Sequence, residues 1–365
     1  MESRLDRMNA VEIQGADIPT LFEISNYNGT MRGWFARIFP TLSALILATL
    51  LAAQSRQLPS FGNWKRASEK PILVPRGSGW ESAGTFNPAV IQRDGRIVMI
   101  YRAQDAAGIS RLGYAESVDG IQFARRSEPV IVPETEYERE GGVEDPRLVQ
   151  IAGTYYLTYT GYNKKDAQLC LAVSKDLVHW QRLGVILPAY QGNWNRGWTK
   201  SGAIVAEKIA GKFWMYWLGT AADKTDQTGI SSSLDLVHWK EELDVPVLPR
   251  RPGKFDSRVV EPGPPPMLTA QGIVLIYNGA DDHLVYRTGI AVFDRKDPRI
   301  VVYRSDEPVF QPERQWEKAG QVPNVVFVEG MARRKDQLFL YYGAADKFSG
   351  VATATLTQPA DNQQN

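Results

Sequence analysis

Between residues 64 and 356 the apolar positions fall in short runs rich in β-branched and aromatic side chains, punctuated by Gly, Pro, Asn and Asp. No stripe at the helical period appears, so the runs predict strands joined by tight turns. The pattern also repeats. A phrase ending in proline occurs at Pro71–Pro75, Pro129–Pro133, Gly184–Pro188, Pro246–Pro249 and Pro308–Pro312, with 58, 55, 61 and 63 residues between successive final prolines. An apolar strand closing on tyrosine recurs at Tyr101, Tyr159, Tyr216, Tyr277 and Tyr341, and a phrase ending in a small residue follows at Ala115, Ala172, Ser231, Ala291 and Ala352.

Such self-similarity settles the architecture before any single residue does. Each beat has room for four strands, with Gly95, Gly153, Gly211 and Gly272 at or near hairpin turns ahead of alternating apolar strands. Four antiparallel strands per unit, repeated radially, predict an all-β, five-bladed β-propeller over residues 64–356. The segment Glu69-Lys70-Pro71-Ile72-Leu73-Val74-Pro75 matches Asp306-Glu307-Pro308-Val309-Phe310-Gln311-Pro312. An N-terminal strand is therefore expected to complete the last blade and close the ring, removing a pair of exposed edges.

The chain ahead of the repeat differs in kind. Residues 1–30 are polar and of mixed charge, and Arg32 and Arg37 then precede an apolar run from Phe39 to Ala53 that ends in small residues. That is the layout of a secretory signal, with Met31 as the expected start and cleavage near Ala53. The run is shorter than the ~20 residues a spanning helix needs; an uncleaved membrane anchor over 38–53 is the alternative. Residues 54–63, with Pro59, Gly62 and Asn63, read as a linker, and residues 357–365 as a tail. The expected location is periplasmic or extracellular.

Composition narrows the partners. Forty-two basic against 41 acidic residues leave a formal charge of +1, which gives no electrostatic case for nucleic acid or an anionic membrane surface. One cysteine, Cys170, excludes an intrachain disulfide and reads as buried filler. Of three histidines, His179 and His238 sit in a repeated Val-His-Trp phrase and are expected to pack blades, which leaves little material for a metal site.

Candidate chemistry gathers where the inner strands begin: Asn87, Asp145, Lys200-Ser201, Glu261 and Asn324. Amides, carboxylates and a lysine at five equivalent mouths describe a polar pocket for a polyhydroxylated ligand. Its centre is Glu144-Asp145-Pro146-Arg147, where Glu144 and Arg147 are candidate substrate contacts and Arg147 is expected to hold one carboxylate ionised. Arg102 and Arg111 are candidates to grip hydroxyls or restrain ionisation.

At this point the residues resemble glycoside hydrolase family 130. The resemblance rests on Glu144-Asp145-Pro146-Arg147, Phe86-Asn87-Pro88-Ala89, Tyr101-Arg102-Ala103, Gly263-Pro264-Pro265-Pro266, Tyr303-Arg304-Ser305-Asp306-Glu307-Pro308, Val322-Pro323-Asn324-Val325-Val326 and Tyr341-Tyr342-Gly343-Ala344-Ala345-Asp346. It implies a five-bladed propeller acting on β-mannosides, as a phosphorylase or a hydrolase. It also implies Asp145 as general acid, with Asn87, Arg102, Arg111 and Asp346, and Tyr286 near them, holding the sugar. No cofactor is implied; inorganic phosphate would be a co-substrate of a phosphorylase. Where the family's phosphorylases carry a basic set for phosphate, this chain has Trp198-Thr199, Val259 and Asn278, and it adds Glu261. A phosphate nucleophile needs clustered cations, whereas water needs a base. The expectation is thus an inverting β-mannosidase with Asp145 as acid and Glu261 as base, Asp223 being a second candidate base. Lys200 keeps the phosphorylase open as the alternative, and a non-catalytic sugar-binding propeller is a further one. Linkage and oligomeric state are not legible.

Overall fold

The computed structural model describes residues 63–355. The polar extension, the signal or anchor segment, all but the end of the linker and the tail lie outside these residues. The described chain is almost entirely strand, with one helical turn, α1 (Gln315–Lys318).

The strands form five antiparallel units in chain order. The first holds β2 (Gly84–Arg93), β3 (Arg96–Gln104), β4 (Ser110–Ser117) and β5 (Ala124–Arg125); the second β6 (Gly142–Ile151), β7 (Thr154–Tyr162), β8 (Ala167–Ser174) and β9 (Gln181–Leu187). The third holds β10 (Thr199–Ile204), β11 (Phe213–Thr220), β12 (Asp226–Ser233) and β13 (Lys240–Glu241). In the fourth the inner strand is split into β14 (Val259–Pro262) and β15 (Met267–Thr269), both paired with β16 (Gly272–Ala280), and β17 (Tyr286–Phe293) and β18 (Val301–Arg304) follow. The fifth is β19 (Val326–Arg334), β20 (Gln337–Ala344) and β21 (Phe348–Thr355), completed by β1 (Lys65–Arg66) from the N-terminal side. Hairpins use the expected chemistry: Asp94 and Gly95 both have positive φ, 47° and 75°, as a two-residue turn between twisted strands requires.

Alternation along a strand feeds two different cores. In β3, Ile97, Met99 and Tyr101 pack with Phe339, Tyr341 and Val351 of the fifth unit, while Val98 and Ile100 pack with Tyr155, Leu157 and Tyr159 of the second. Further clusters join the second unit to the third, the third to the fourth and the fourth to the fifth. Both faces of each sheet are therefore buried, which is why β3 reads as a continuous apolar run rather than an alternating one.

The recurring aromatic residues have a shared purpose, and in two units they sit one residue on from the sequence expectation. Tyr101, Tyr277 and Tyr342 lie opposite Gly113, Gly289 and Gly350, and Trp217 lies opposite Gly229. The equivalents in the third and fifth units are thus Trp217 and Tyr342 rather than Tyr216 and Tyr341. In four units the phenol donates to a buried carboxylate: Tyr101 to Glu81 (3.1 Å), Tyr159 to Glu138 (2.9 Å), Tyr277 to Asp256 (2.8 Å) and Tyr342 to Glu317 (2.8 Å). An arginine of the outermost strand, Arg125, Arg182, Arg304 or Arg66, pairs with the same carboxylate. The repeated Val-His-Trp phrase is only half a packing device: Trp180 and Trp239 join the cores, but His179 and His238 are exposed and rest on Asp176 and Asp235.

Arg66 and Glu317 are 5% and 0% exposed, so the chain's first strand is tied to the fifth unit by a buried ion pair. Arg66→Ala should cost about 3–5 kcal/mol, the range for stranding one buried partner. Lys65→Ala, on the exposed face of the same strand, should change the thermal midpoint little; equal shifts in thermal unfolding would show that Arg66 does not anchor the strand.

Candidate active site

Three inner strands break register at the same place: between Phe86 and Pro88, Glu144 and Arg147, and Lys200 and Ala203. Inside each break sits a non-glycine residue in the left-handed region: Asn87 (φ 49°), Asp145 (φ 48°) and Ser201 (φ 59°). Such conformers are costly and persist where the surroundings enforce them. Pro88 and Pro146 contribute locally, since each removes a ladder donor and bars its predecessor from the right-handed helical region. The consequence is chemical. In a regular strand Glu144 and Asp145 would face opposite sides; the bulge turns both onto one guanidinium.

That guanidinium is Arg102, on β3. Its Nη2 donates to Glu144 Oε1 at 2.6 Å and its Nη1 to Asp145 Oδ1 at 3.0 Å, while Asn87 Nδ2 donates to the same Asp145 oxygen at 2.8 Å. Gly343 lets Asn87 in, because a Cβ there would stand 1.9 Å from Asn87 Oδ1. Asn87 Oδ1 and Thr160 Oγ1 are buried without hydrogen-bond partners. From the third and fourth units, Glu261 Oε1 accepts from Ser201 Oγ and lies 4.0 Å from Lys200 Nζ.

Electrostatics divides the two adjacent carboxyls. Burial alone pushes both up; for Asp145 it is outweighed by Arg102, Lys200 and Arg147 and by the Asn87 bond, which leave it below the usual carboxylate range. Glu144 ends above that range, because burial and the Asp145 charge together exceed the pull of Arg102. The two groups titrate together, and a proton shared by the pair favours Glu144 over Asp145. Burial likewise raises Glu261 against the opposing Lys200 and Arg147. It pushes Asp346 up to about 6, only partly countered by Arg102.

The structure gathers Asn87, Arg102, Glu144, Asp145, Lys200 and Glu261, and Tyr286 and Asp346 stand within electrostatic reach of them. Other expectations change. Arg147 does not grip a substrate: it is 1% exposed and donates to the main-chain carbonyls of Asp145, Pro262 and Gly263. Arg102 makes the direct bonds to Glu144 and Asp145, while Arg147 helps hold Asp145 ionised through its charge. Arg111 is committed to Asp105 at 2.7 Å. Asp223 pairs with Arg250 on the surface, away from the other carboxylates, which removes it as a base. Asn324 contributes its main-chain carbonyl to Tyr286 N, and its side chain makes no hydrogen bond. The fifth unit's bulge residue is instead Glu329, between Val328 and Gly330. Its signal in the sequence was a lone carboxylate inside the apolar run of β19. Asn278 clamps Val328 through both main-chain groups and is structural.

A family model described as beta-1,4-mannooligosaccharide phosphorylase matches residues 64–360. The chain is 42% identical over 299 residues to a 1,2-beta-oligomannan phosphorylase of Thermoanaerobacter sp. strain X514, covering 79% of this chain and 96% of that protein. A beta-1,2-mannobiose phosphorylase of the same organism is 36% identical, covering 79% and 95%. Among solved structures, one reported with the finding that the family's mannoside phosphorylases include glycoside hydrolases targeting beta-1,2 linkages in Candida mannan superposes with TM-score 0.75 and 36% identity, over 83% of this chain and 97% of that one. The Listeria innocua beta-1,2-mannobiose phosphorylase in complex with its mannobiose superposes with TM-score 0.73 and 25% identity, over 81% and 98%. The chain belongs to glycoside hydrolase family 130.

The raised carboxyl of Asp346 carries a linkage consequence. The native state keeps its proton up to about pH 6, whereas the unfolded chain releases it near 3.9. Its contribution to stability is therefore complete below about pH 4 and lost as pH rises through 6. Asp346→Asn should melt like the parent near pH 4 and at a higher temperature above pH 7. A shift of the same size at both pH values would show that Asp346 does not titrate in this way.

Proposed function

We propose that this protein cleaves β-1,2-linked mannosides by a single displacement at the anomeric carbon, with inorganic phosphate as the acceptor. The observation that carries the choice of acceptor is the 42% identical relative, matched over nearly its whole length, whose named activity is phosphorolysis of a 1,2-β-oligomannan. Sequence reasoning ranked hydrolysis first and phosphorolysis second; the curated relatives favour the opposite order. Lys200 is compatible with phosphate, since its 4.0 Å separation from Glu261 leaves ammonium donors for an anion.

In this scheme Asn87, Arg102 and Asp346 hold the mannosyl unit and Asp145 delivers a proton to the departing oxygen as the C1–O bond breaks. Asp145 must be protonated in the reacting complex; Glu144, the raised member of the pair, is the source of that proton, and Arg102 stays a cation that fixes both carboxyls. A phosphate oxygen bonds to C1 from the opposite face and yields α-mannose 1-phosphate. Hydrolysis remains a second reading on one observation: Glu261, buried and raised, sits on Ser201 beside Lys200, where it could take a proton from water and would repel phosphate. We further propose that the five units are propeller blades around a channel lined by these side chains, which the cyclic sharing of five core clusters supports. The pattern of residues 31–53 supports export.

An NMR time course with β-1,2-mannobiose, with and without phosphate, separates the readings. Phosphorolysis predicts mannose 1-phosphate only when phosphate is present, and Glu261→Gln should retain turnover. Hydrolysis predicts α-mannose appearing first without phosphate, with Glu261→Gln slower by roughly 10²–10⁴-fold. No turnover of any β-mannoside would sink both.

A further inference from the structure

One carboxyl at this site has no role in the scheme above. Glu329 is 0% exposed, and neither of its oxygens makes a hydrogen bond; its one close partner is Arg147 Nη1, 2.9 Å from Oε1. A buried acid so placed calls for an explanation. Arg147 supplies it. From β6 the guanidinium donates to Asp145 O at 3.0 Å, Pro262 O at 2.8 Å and Gly263 O at 3.3 Å, and Phe327 of β19 lies 5.8 Å from its centre. The guanidinium gives all three of its nitrogens to those carbonyls, and its Nη1 also faces the Glu329 carboxyl. Two carboxylates compete for it: Glu329 at 2.9 Å and Glu261, whose Oε1 is 4.0 Å from Nη2.

We infer that Glu329 is a positioning residue: it holds Arg147 against β19, so that the guanidinium braces the backbone at Asp145 and at Pro262-Gly263 without closing onto Glu261. Glu261 is thereby left to Ser201 and Lys200, and the spacing of the Asp145 and Glu261 strands is set from the fifth unit. The inference rests on the proposal that these two residues flank the reacting bond. The charged groups facing Glu329 are Arg147 and Asp145 on β6, Glu261 on β14 and Arg102 on β3; burial is the main reason its own carboxyl stands well above the usual range, and Arg147 opposes it.

The test compares Glu329→Gln, which keeps the volume and removes the acid, with Glu329→Ala in the full chain. Both are expected to lower kcat, roughly tenfold for the amide and toward a hundredfold for alanine, the scale of ångström-level misplacement. KM should move less than about twofold, since neither variant touches the sugar. Crystal structures should show Arg147 Nη2 shifted from 4.0 Å to hydrogen-bonding distance of Glu261. If alanine at 329 prevents folding, the near-isosteric amide carries the test. Unchanged kcat in both variants, or an Arg147 that stays in place while kcat falls, would overturn the inference. If the parent protein turns over no mannoside, the proposed function fails, and the Arg147 shift still decides whether Glu329 holds it.

Discussion

Three cations and five carboxyl groups share one buried cluster: Arg102, Arg147 and Lys200 against Glu144, Asp145, Glu261, Glu329 and Asp346. The imbalance governs the rest of the site. Burial is costly for a carboxylate, and it raises Glu144, Glu261, Glu329 and Asp346 while the surrounding cations draw Asp145 down. Which acid keeps a proton is decided by geometry. Asp145 has the Arg102 fork, the Asn87 amide and two further cations nearby and stays ionised, while Glu144 and Glu329 are left with weaker compensation. The two adjacent carboxyls are thus shifted in opposite directions although one guanidinium binds both.

That distribution depends on backbone devices as much as on side-chain identity. The left-handed residues at Asn87, Asp145 and Ser201 each convert one position of a pleated strand into a residue aimed along the mouth of its unit. A regular ladder would have placed either Glu144 or Asp145 in a hydrophobic core. The strain is tolerated because each bulge is pinned from a neighbouring unit: Asn87 to Asp145, Asp145 to Arg102, and Ser201 to Glu261.

Much of this was legible in the sequence, and the failures have physical causes. The period of about sixty residues revealed the five-fold repeat, and turn residues marked the hairpins, because strand length and turn chemistry are local. Asn87-Pro88 and Asp145-Pro146 betrayed two of the bulges for the same reason. Arg147 and Arg111 were misplaced because an arginine can reach several partners, and only the fold shows whether a main-chain carbonyl or a ligand is nearest. Glu329 was overlooked in favour of Asn324 because its bulge carries no proline to announce it. Tyr341-Tyr342 and Tyr216-Trp217 offered two aromatic residues in sequence, and the correct one became apparent only from the glycine opposite it.

No unit owns a hydrophobic core of its own. Every cluster of buried side chains lies between two units, and the pairings run in a cycle in which the first also meets the fifth. In an open solenoid a terminal repeat can fray while the others persist. Here each of the five described units shares its buried clusters with two others, so unravelling any one would expose two cores at once. The described units are therefore coupled in folding, and β1 adds only the outer partner of β21.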